Sequence, residues 1–311
     1  MDILLTFDND YSQHAAVVMA SFCSNNPGHH VFYIISDRID DTNRRNLLAT
    51  ADSFDAKAEF FYIGTELINN FPLGKQTANT YVSLATYFRL FVLECLPSTI
   101  DKLLYLDCDV VVADDIQELW NKSFDEGTCL YALEERKDLV IDGCKRLSYP
   151  LKDSYFNAGI LLFSLCQLRK HFELKEVPAF IESHRVIFHD QDVLNGFLHA
   201  HKRFFELKYN VMDIHLIKHA ILPERYRGSV DALQHPVVVH FSGPLKPWYK
   251  ECQHPYRELY YKYLRETPWK NYIPVRKYAG YKERLIYHIK LSAKIILEAL
   301  HLRYYSFIKV N

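Results

Sequence analysis

Leu103-Leu104-Tyr105-Leu106-Asp107-Cys108-Asp109-Val110-Val111-Val112 reads as a buried strand interrupted by two carboxylates one residue apart. A desolvated, unpaired carboxylate costs on the order of several kcal/mol, so a divalent cation is the natural partner for Asp107 and Asp109. A cation held by protein carboxylates with positions left open can take phosphate oxygens. The spacing by itself is unspecific: Asp8-Asn9-Asp10 and Asp190-Gln191-Asp192 share it. Asp8, however, ends the strand Ile3–Phe7 and Asp190 precedes a helix, which leaves Asp107 and Asp109 as the pair with apolar residues on both sides. The bland alternative is an exposed turn after a strand. Cys108 suits a small space-filler between the two better than a metal ligand.

Upstream of this stretch, strand and helix patterns alternate. Ile3–Phe7, Val31–Ile35 and Ala58–Ile63 read as strands. Gln13–Cys23, Thr42–Ser53 with Asp41 or Thr42 as N-cap, and Ser83–Leu96 stopped by Pro97 read as helices. Such alternation predicts an α/β fold with a mostly parallel central sheet flanked by helices, and ligands in these sheets bind beyond the carboxyl ends of strands. Asp8, Asp107 and Asp109 stand at such ends. Downstream, Phe156-Asn157-Ala158-Gly159 reads as a loop entering a buried strand, Asp190-Gln191-Asp192 opens a helix, and Pro236–Phe241 is a strand carrying His240. The following Ser242-Gly243-Pro244-Leu245-Lys246-Pro247-Trp248 has the parts of a diphosphate clamp: a glycine for close backbone approach, a lysine for charge and prolines for a fixed shape.

At 311 residues, 49% hydrophobic and 24% charged, the chain can bury one large core with an appendage, or two modest domains. Seven cysteines without CxxC spacing suggest reduced thiols in a cytosolic compartment and neither a disulfide framework nor a zinc site. The N-terminus has no basic and apolar leader pattern, and no stretch reaches the roughly 18 apolar residues of a membrane span, so a protein neither secreted nor integral is expected. No GxGxxG or Walker-type loop is present, which argues against dinucleotide and ATP sites. No basic and aromatic patch suggests a nucleic-acid partner.

Taken together, Asp8-Asn9-Asp10-Tyr11, Thr86-Tyr87-Phe88-Arg89-Leu90, Asp107-Cys108-Asp109, Phe156-Asn157-Ala158-Gly159, Asp190-Gln191-Asp192 with Leu194-Asn195-Gly196, and His240 before Gly243–Trp248 strongly resemble glycosyltransferase family eight. That family includes glycogenin and the bacterial lipopolysaccharide and lipooligosaccharide galactosyl- and glucosyltransferases. The likeness runs from Met1 to about Trp248 with the motifs in family order. It implies a GT-A type nucleotide-diphospho-sugar transferase fold, and retaining transfer of galactose or glucose from a UDP-sugar to a saccharide or lipid-linked glycan acceptor.

The resemblance further implies that Asp107, Asp109 and His240 bind Mn²⁺, to which a mixed carboxylate and imidazole set is better suited than to Mg²⁺. It places Asp8 and Asn9 at uridine and ribose, Tyr11 against the base, Cys108 within the donor site, and Gly243 and Lys246 at the diphosphate. Arg89, Asn157, Ala158, Asp190 and Gln191 surround the donor sugar. Arg89 could equally be a surface charge on a helix, and Ala158 could merely provide room. Tyr81 departs from the His of the similar galactosyltransferases. Gln191 beneath the anomeric carbon is a poor nucleophile, which favours a same-face substitution, with Asp190 as the alternative carboxylate nucleophile.

Two other functions stand beside this one. Asp107-x-Asp109 fits a haloacid-dehalogenase-like phosphatase motif, although no Gly-Asp pair follows to complete it; a non-catalytic membrane-bound scaffold would explain the C-terminus. From Arg276 onward, eight basic residues oppose Glu283 and Glu298, a net charge of +6 that leaves about −7 for the rest. A boundary near Thr267–Pro268 divides a catalytic domain, 1–267, from a basic, aromatic tail, 268–311. Leu285, Ile289, Ala293, Ile296, Leu300, Tyr304 and Phe307 recur at helical spacing, so the tail is expected to lie on an anionic membrane surface, holding a cytoplasmic enzyme peripherally at the inner face of the cell membrane.

Overall fold

Near-continuous apolar runs mark the strands because both faces of the sheet are covered. The computed structural model describes residues 1–64, 84–302 and 304–310; Tyr81 and the expected helix start at Ser83 lie outside them. Strands β1 (Asp2–Thr6), β2 (Val31–Ser36), β3 (Lys57–Tyr62) and β4 (Lys102–Leu106) form the parallel half of a large sheet. Alternate residues feed two separate cores. Ile3, Leu5, Phe32, Ile34, Leu104 and Leu106 join one, and Leu4, Tyr33, Ile35, Leu103 and Tyr105 the other.

With β6 (Leu130–Glu134), β7 (Phe156–Ser164) and β8 (Lys202–Phe204), this sheet has seven strands in the order β3-β2-β1-β4-β7-β6-β8. β7 runs antiparallel to both neighbours while the other pairings are parallel. A second sheet of three short strands, β5 (Val110–Val112), β10 (Val238–His240) and β9 (Val211–Met212), packs beside it in the order β5-β10-β9. The chain crosses from one sheet to the other at Asp107-Cys108-Asp109, so the quoted stretch is two strands of different sheets joined by a turn.

Helix α1 (Ser12–Asn25) is buried along most of its length against one face. Helix α2 (Asp41–Asp52) is capped by Asp40, not by Asp41 or Thr42: Asp40 has extended backbone and its carboxylate accepts from the Asn43 amide at 2.8 Å. The expected Ser83–Leu96 helix is, in its described part, a 3₁₀ helix over Leu84–Phe91 followed by a single α turn, Val92–Cys95. Leu96 is extended, as a residue before proline favours. Phe156 and Asn157 are already strand and buried; there is no entry loop at that point.

Beyond Thr267, Trp269 and Tyr272 still pack on the core, and Val275 bridges to Tyr249. A 19-residue helix, Tyr281–Ala299, then stands with no residue buried. The helical stripe ends there. Tyr304 and Phe307, expected on it, belong to a returning strap in which Ser306 O accepts from the Lys218 amide (2.9 Å) and the Ile308 amide donates to Leu216 O (2.7 Å). Among the described residues, no helix is long and apolar enough to cross a membrane.

Candidate active site

The two sheets meet where the carboxylates sit. Strand register places His240 opposite Val110, next to Asp109. The Phe241 amide donates to Asp109 O (2.9 Å) and the Asp107 amide to Gly159 O (2.8 Å), which pins both ends of the turn. One ligand atom each from Asp107, Asp109 and His240 lies within 4.8 Å of the others. His240 Nε2 is 3.3 Å from Asp109 Oδ1 and 3.8 Å from Asp107 Oδ2. Asn210 decides which imidazole nitrogen is available. Its Nδ2 donates to Asn157 Oδ1 (2.9 Å), so its Oδ1 accepts from His240 Nδ1 (2.9 Å), leaving the Nε2 lone pair toward the carboxylates. A Cβ at Gly159 would lie 2.4 Å from His240 Cε1 and 2.9 Å from Asp107 Oδ2; the cradle exists because that residue has no side chain. Two carboxylate oxygens and one imidazole nitrogen converging in this way fit a divalent cation with mixed oxygen and nitrogen donors.

Arg89 is buried, not a surface charge. Its Nη2 donates to Asp107 Oδ1 (2.8 Å), its Nη1 to the Ala158 carbonyl, and its Nε pairs with Asp190 Oδ2 (2.7 Å). The guanidinium lies over the Tyr105 ring at 4.3 Å, and Tyr105 itself donates to Asp107 Oδ1 at 2.5 Å. Burial opposes the charge on Arg89, but Asp107 and Asp190 outweigh it and hold the guanidinium protonated. Burial pushes the Asp190 carboxyl up to about 7, against the pull of Arg89. Asp109 behaves oppositely: Lys246 and His240 overcome its burial and keep it ionised. Lys246 Nζ sits 2.6 Å from Asp109 Oδ2 and donates to Phe241 O at the same distance. Burial would lower the His240 pKa, but Asp109 and Asp107 raise it overall.

Gln191 is clamped at both ends. Its Oε1 accepts from the Ala158 amide (2.9 Å) and Asn157 Nδ2 (3.3 Å), while its Nε2 donates to Tyr155 OH (3.1 Å). Tyr155 passes that order on by donating to Asp192 Oδ1 (2.6 Å), which also takes both Arg146 amino groups (2.8 and 3.1 Å) and the Ile187 and Phe188 amides. Asp192, Tyr155, Arg146 and Asn210 were missed as supporting residues. Asp192 was visible in its Asp-x-Asp motif; nothing in the sequence marks Arg146 or Asn210, whose partners are tens of residues away.

The expected nucleoside end is partly occupied by the fold. Asn9 Oδ1 accepts from the Asp40 amide (2.9 Å) and Asn43 Nδ2 (3.0 Å), fixing the start of α2 beside the end of β1. Asp8 is half-buried just before the short 3₁₀ turn Asn9–Tyr11, and Tyr11 presents a partly exposed ring edge-on to Trp248 at 5.8 Å. Trp248 stacks on buried His14 at 3.5 Å, which anchors the loop carrying Lys246. In that loop the Gly243 amide donates to Asp213 Oδ1 (3.0 Å), and a Cβ there would meet Asp213 Oδ2 at 2.4 Å. Cys108 is buried with its Sγ toward Thr6 O (3.9 Å), so its side chain fills space and only its backbone borders the site.

The model of glycosyl transferase family 8 matches residues 2–252, and the chain belongs to that family. It is 30% identical over 264 residues to a putative glycosyltransferase of Haemophilus influenzae, covering 82% of this chain and 74% of that one. A lipopolysaccharide 1,2-glucosyltransferase of Escherichia coli is 26% identical over 308 residues, covering 95% and 88%. A solved structure of galactosyltransferase LgtC in complex with donor and acceptor sugar analogs superposes with a TM-score of 0.74 at 25% identity, covering 86% of this chain and 96% of that one. The fold is thus the expected GT-A type and the chain is a glycosyltransferase; the phosphatase and scaffold alternatives fall away.

Proposed function

We propose that this glycosyltransferase moves a hexose, galactose or glucose, from its UDP-sugar to a saccharide or lipid-linked glycan acceptor in lipopolysaccharide or other cell-surface polysaccharide synthesis, with retention of anomeric configuration. The observation that carries the reading is the convergence of Asp107, Asp109 and His240 beside Lys246 in a chain of this family. The relatives' named activities, a glucosyltransferase and a galactosyltransferase, support hexose as the donor sugar. Mn²⁺ is the cation we assign to the three ligands; when bound, it neutralises the diphosphate leaving group.

The chain's own residues complete the chemistry. Lys246 adds a second positive charge on the leaving-group side, and Gly243, whose amide and missing side chain both accommodate Asp213, shapes the loop that carries it. Arg89 and Tyr105 hold Asp107 in place. Gln191 offers an oriented amide oxygen to positive charge developing at the anomeric carbon. Asp190 is bound to Arg89, which supports same-face substitution over attack by this carboxylate. Asp8, Asn9 and Tyr11 remain our assignment for the nucleoside, with Asn9 acting through its backbone N–H and amide nitrogen because both of its oxygens are engaged. The test is a panel of UDP-sugars with Mn²⁺ or Mg²⁺, following UDP release with and without sugar acceptors and the anomeric configuration of the product. No release from UDP-galactose or UDP-glucose, or an inverted product, would refute the reading.

Within the segment from residue 268, whose Trp269, Tyr272 and Phe307 pack on the body, we further assign the helix Tyr281–Ala299 to peripheral attachment at the inner face of the cell membrane. Leu285, Ile289 and Ile296 lie on one side of the helix and are 50, 61 and 58% exposed, and Leu300 just past its end is 61% exposed. The surrounding positive charge suits anionic lipid, at about 1 kcal/mol per basic residue near the surface. Deleting the tail would also remove the Ser306–Ile308 strap, so the cleaner test is substitution of Leu285, Ile289 and Ile296 by Ser in the full chain. Loss of sedimentation with anionic vesicles at unchanged turnover on a soluble acceptor supports the assignment; unchanged sedimentation sinks it.

A further inference from the structure

Far from the carboxylates, a second set of metal-ligating side chains is assembled by the sheet. Cys129 immediately precedes β6 and His201 immediately precedes β8; these strands are parallel with Leu130 opposite Lys202, which brings the two residues side by side. The Cys129 amide donates to His201 O at 2.7 Å. His171, the last residue of the helix Leu165–His171, closes over them, and one ligand atom from each of the three lies within 4.8 Å of the others. Register separates this cluster from the active site: Leu130 pairs with Phe163 and Glu134 with Phe156, so Cys129 lies at the opposite end of β7 from Asn157 and Ala158. At about 3.3 Å per residue, that is roughly 15 Å or more.

The His201 ring is already set for a ligand. Its Nδ1 lies 2.9 Å from Gly127 O, an acceptor only, so Nδ1 carries the proton and Nε2 keeps a free lone pair, the outer arrangement common for metal-bound histidines. Cys129 is buried, His171 and His201 half-buried, so the cluster has an apolar floor and an open side. One movement is required. The imidazoles of His171 and His201 are stacked at 3.7 Å and 22°, whereas a ligand lone pair lies in the ring plane; His171, at a helix end, must turn about its Cβ–Cγ bond. Tetrahedral bond lengths of about 2.0–2.3 Å bring ligand atoms to roughly 3.5 Å apart, a contraction of up to about 1.3 Å from the 4.8 Å limit.

We propose that Cys129, His171 and His201 form a binding site for a thiophilic divalent cation, zinc, which staples the helix Leu165–His171 to the starts of β6 and β8. Binding releases the Cys129 thiol proton to solvent and leaves a fourth tetrahedral position to water. The site lies outside the catalytic constellation and contradicts the expectation, drawn from the absence of CxxC spacing, that the chain holds no zinc site.

The test is titration of the metal-free full chain with Co²⁺ as a spectroscopic stand-in for zinc. Cobalt held by Asp107, Asp109 and His240 has no sulfur ligand and gives no thiolate charge-transfer band, so the two sites are distinguishable. The expected result, read in Asp109→Asn so that the carboxylate site does not compete, is a thiolate band that saturates at one equivalent, is lost when Cys129→Ser is added and is displaced by one equivalent of Zn²⁺, which raises the melting temperature of Asp109→Asn but not of the double variant; the wild type shows the same band. Should Cys129→Ser fail to fold, His171→Ala at its half-exposed position carries the same comparison. Absence of the band in the wild type, or a band of equal strength in Cys129→Ser or His171→Ala, overturns the proposal.

Discussion

Replacing Arg89 by Met removes one buried cation that serves two buried carboxylates. The guanidinium pairs with Asp107 at 2.8 Å and Asp190 at 2.7 Å, and it also binds the Ala158 carbonyl and the Tyr105 ring. Breaking a buried ion pair by deleting one partner costs about 3–5 kcal/mol. Two pairs do not double this figure. Asp107 keeps the Tyr105 hydroxyl at 2.5 Å, and Asp190, already pushed up to about 7 by burial, can take a proton near neutrality. Arg89→Met is therefore expected to lose about 3–5 kcal/mol at pH 7, a large share of the roughly 5–15 kcal/mol that folds a typical domain. The sign of the pH dependence follows. Without Arg89 the folded-state pKa of Asp190 rises further, while the unfolded carboxyl ionises near 3.9, so the variant goes on losing stability as pH climbs past about 7, where the wild type has levelled off. Adding Asp190→Asn removes the orphaned carboxyl and should restore about 1–2 kcal/mol and abolish the extra pH slope. Urea unfolding followed by intrinsic fluorescence at pH 6, 7 and 8 measures all three chains. A loss below about 1 kcal/mol, or additive effects of the two substitutions, would refute the shared-clamp reasoning.

Gly159→Ala places a Cβ 2.4 Å from His240 Cε1, so the ring must shift; we expect a destabilisation of about 1–3 kcal/mol and a drop of at least ~10-fold in Mn²⁺ affinity, read by Mn²⁺ paramagnetic resonance, and unchanged affinity contradicts the cradle. Gln191→Ala should lower turnover much more than UDP affinity because its contact is made chiefly in the transition state; equal losses in both would show that it merely holds the Ala158 amide. Burial keeps His14, His215 and His254 neutral, lowering them to about 3, 3 and 4. Their contribution is complete above the unfolded pKa near 6.5 and is lost as pH falls toward 4, by up to about 4 kcal/mol per pH unit for three protons. Calorimetry in buffers of different ionisation enthalpy should find net proton uptake on unfolding at pH 5, and none would be the failing result.

Much of the fold was legible because burial on two sides leaves a direct mark. The strands at Ile3, Val31 and Leu103 are apolar at successive positions, which a one-faced sheet would not permit, whereas the edge strand at Ala58 carries Glu59 and stays partly exposed; the intervening helices carry their own periodicity. Boundaries were less so. Asp40, Asp41 and Thr42 are all good N-cap residues, so local preference does not choose among them, and the 3₁₀ turns of Leu84–Phe91 share the apolar spacing of an α-helix. The apolar spacing continues through Tyr304 and Phe307 although the helix does not, because spacing records periodicity and is silent on whether the backbone continues. His301, with φ of 56°, and the hydrogen bonds to Leu216 and Lys218 turn that segment back onto the body.

The same division holds for the site. Carboxylates within an apolar run announce themselves, since an unpaired buried charge needs a partner, so Asp107 and Asp109 were visible in one dimension. Their partners were visible only as motif members. That His240 lies against Asp109 follows from the β10 to β5 register, and that Arg89 is a clamp follows from a 3₁₀ helix packed over β1 and β2, from which the guanidinium reaches Asp107 after β4 and Ala158 in β7. Asn210, Arg146 and the Cys129, His171, His201 cluster had no signature. A hydrogen bond or a ligand set joins side chains tens of residues apart at distances of a few ångströms, and such distances are set by sheet order and strand register, which no local stretch of sequence encodes.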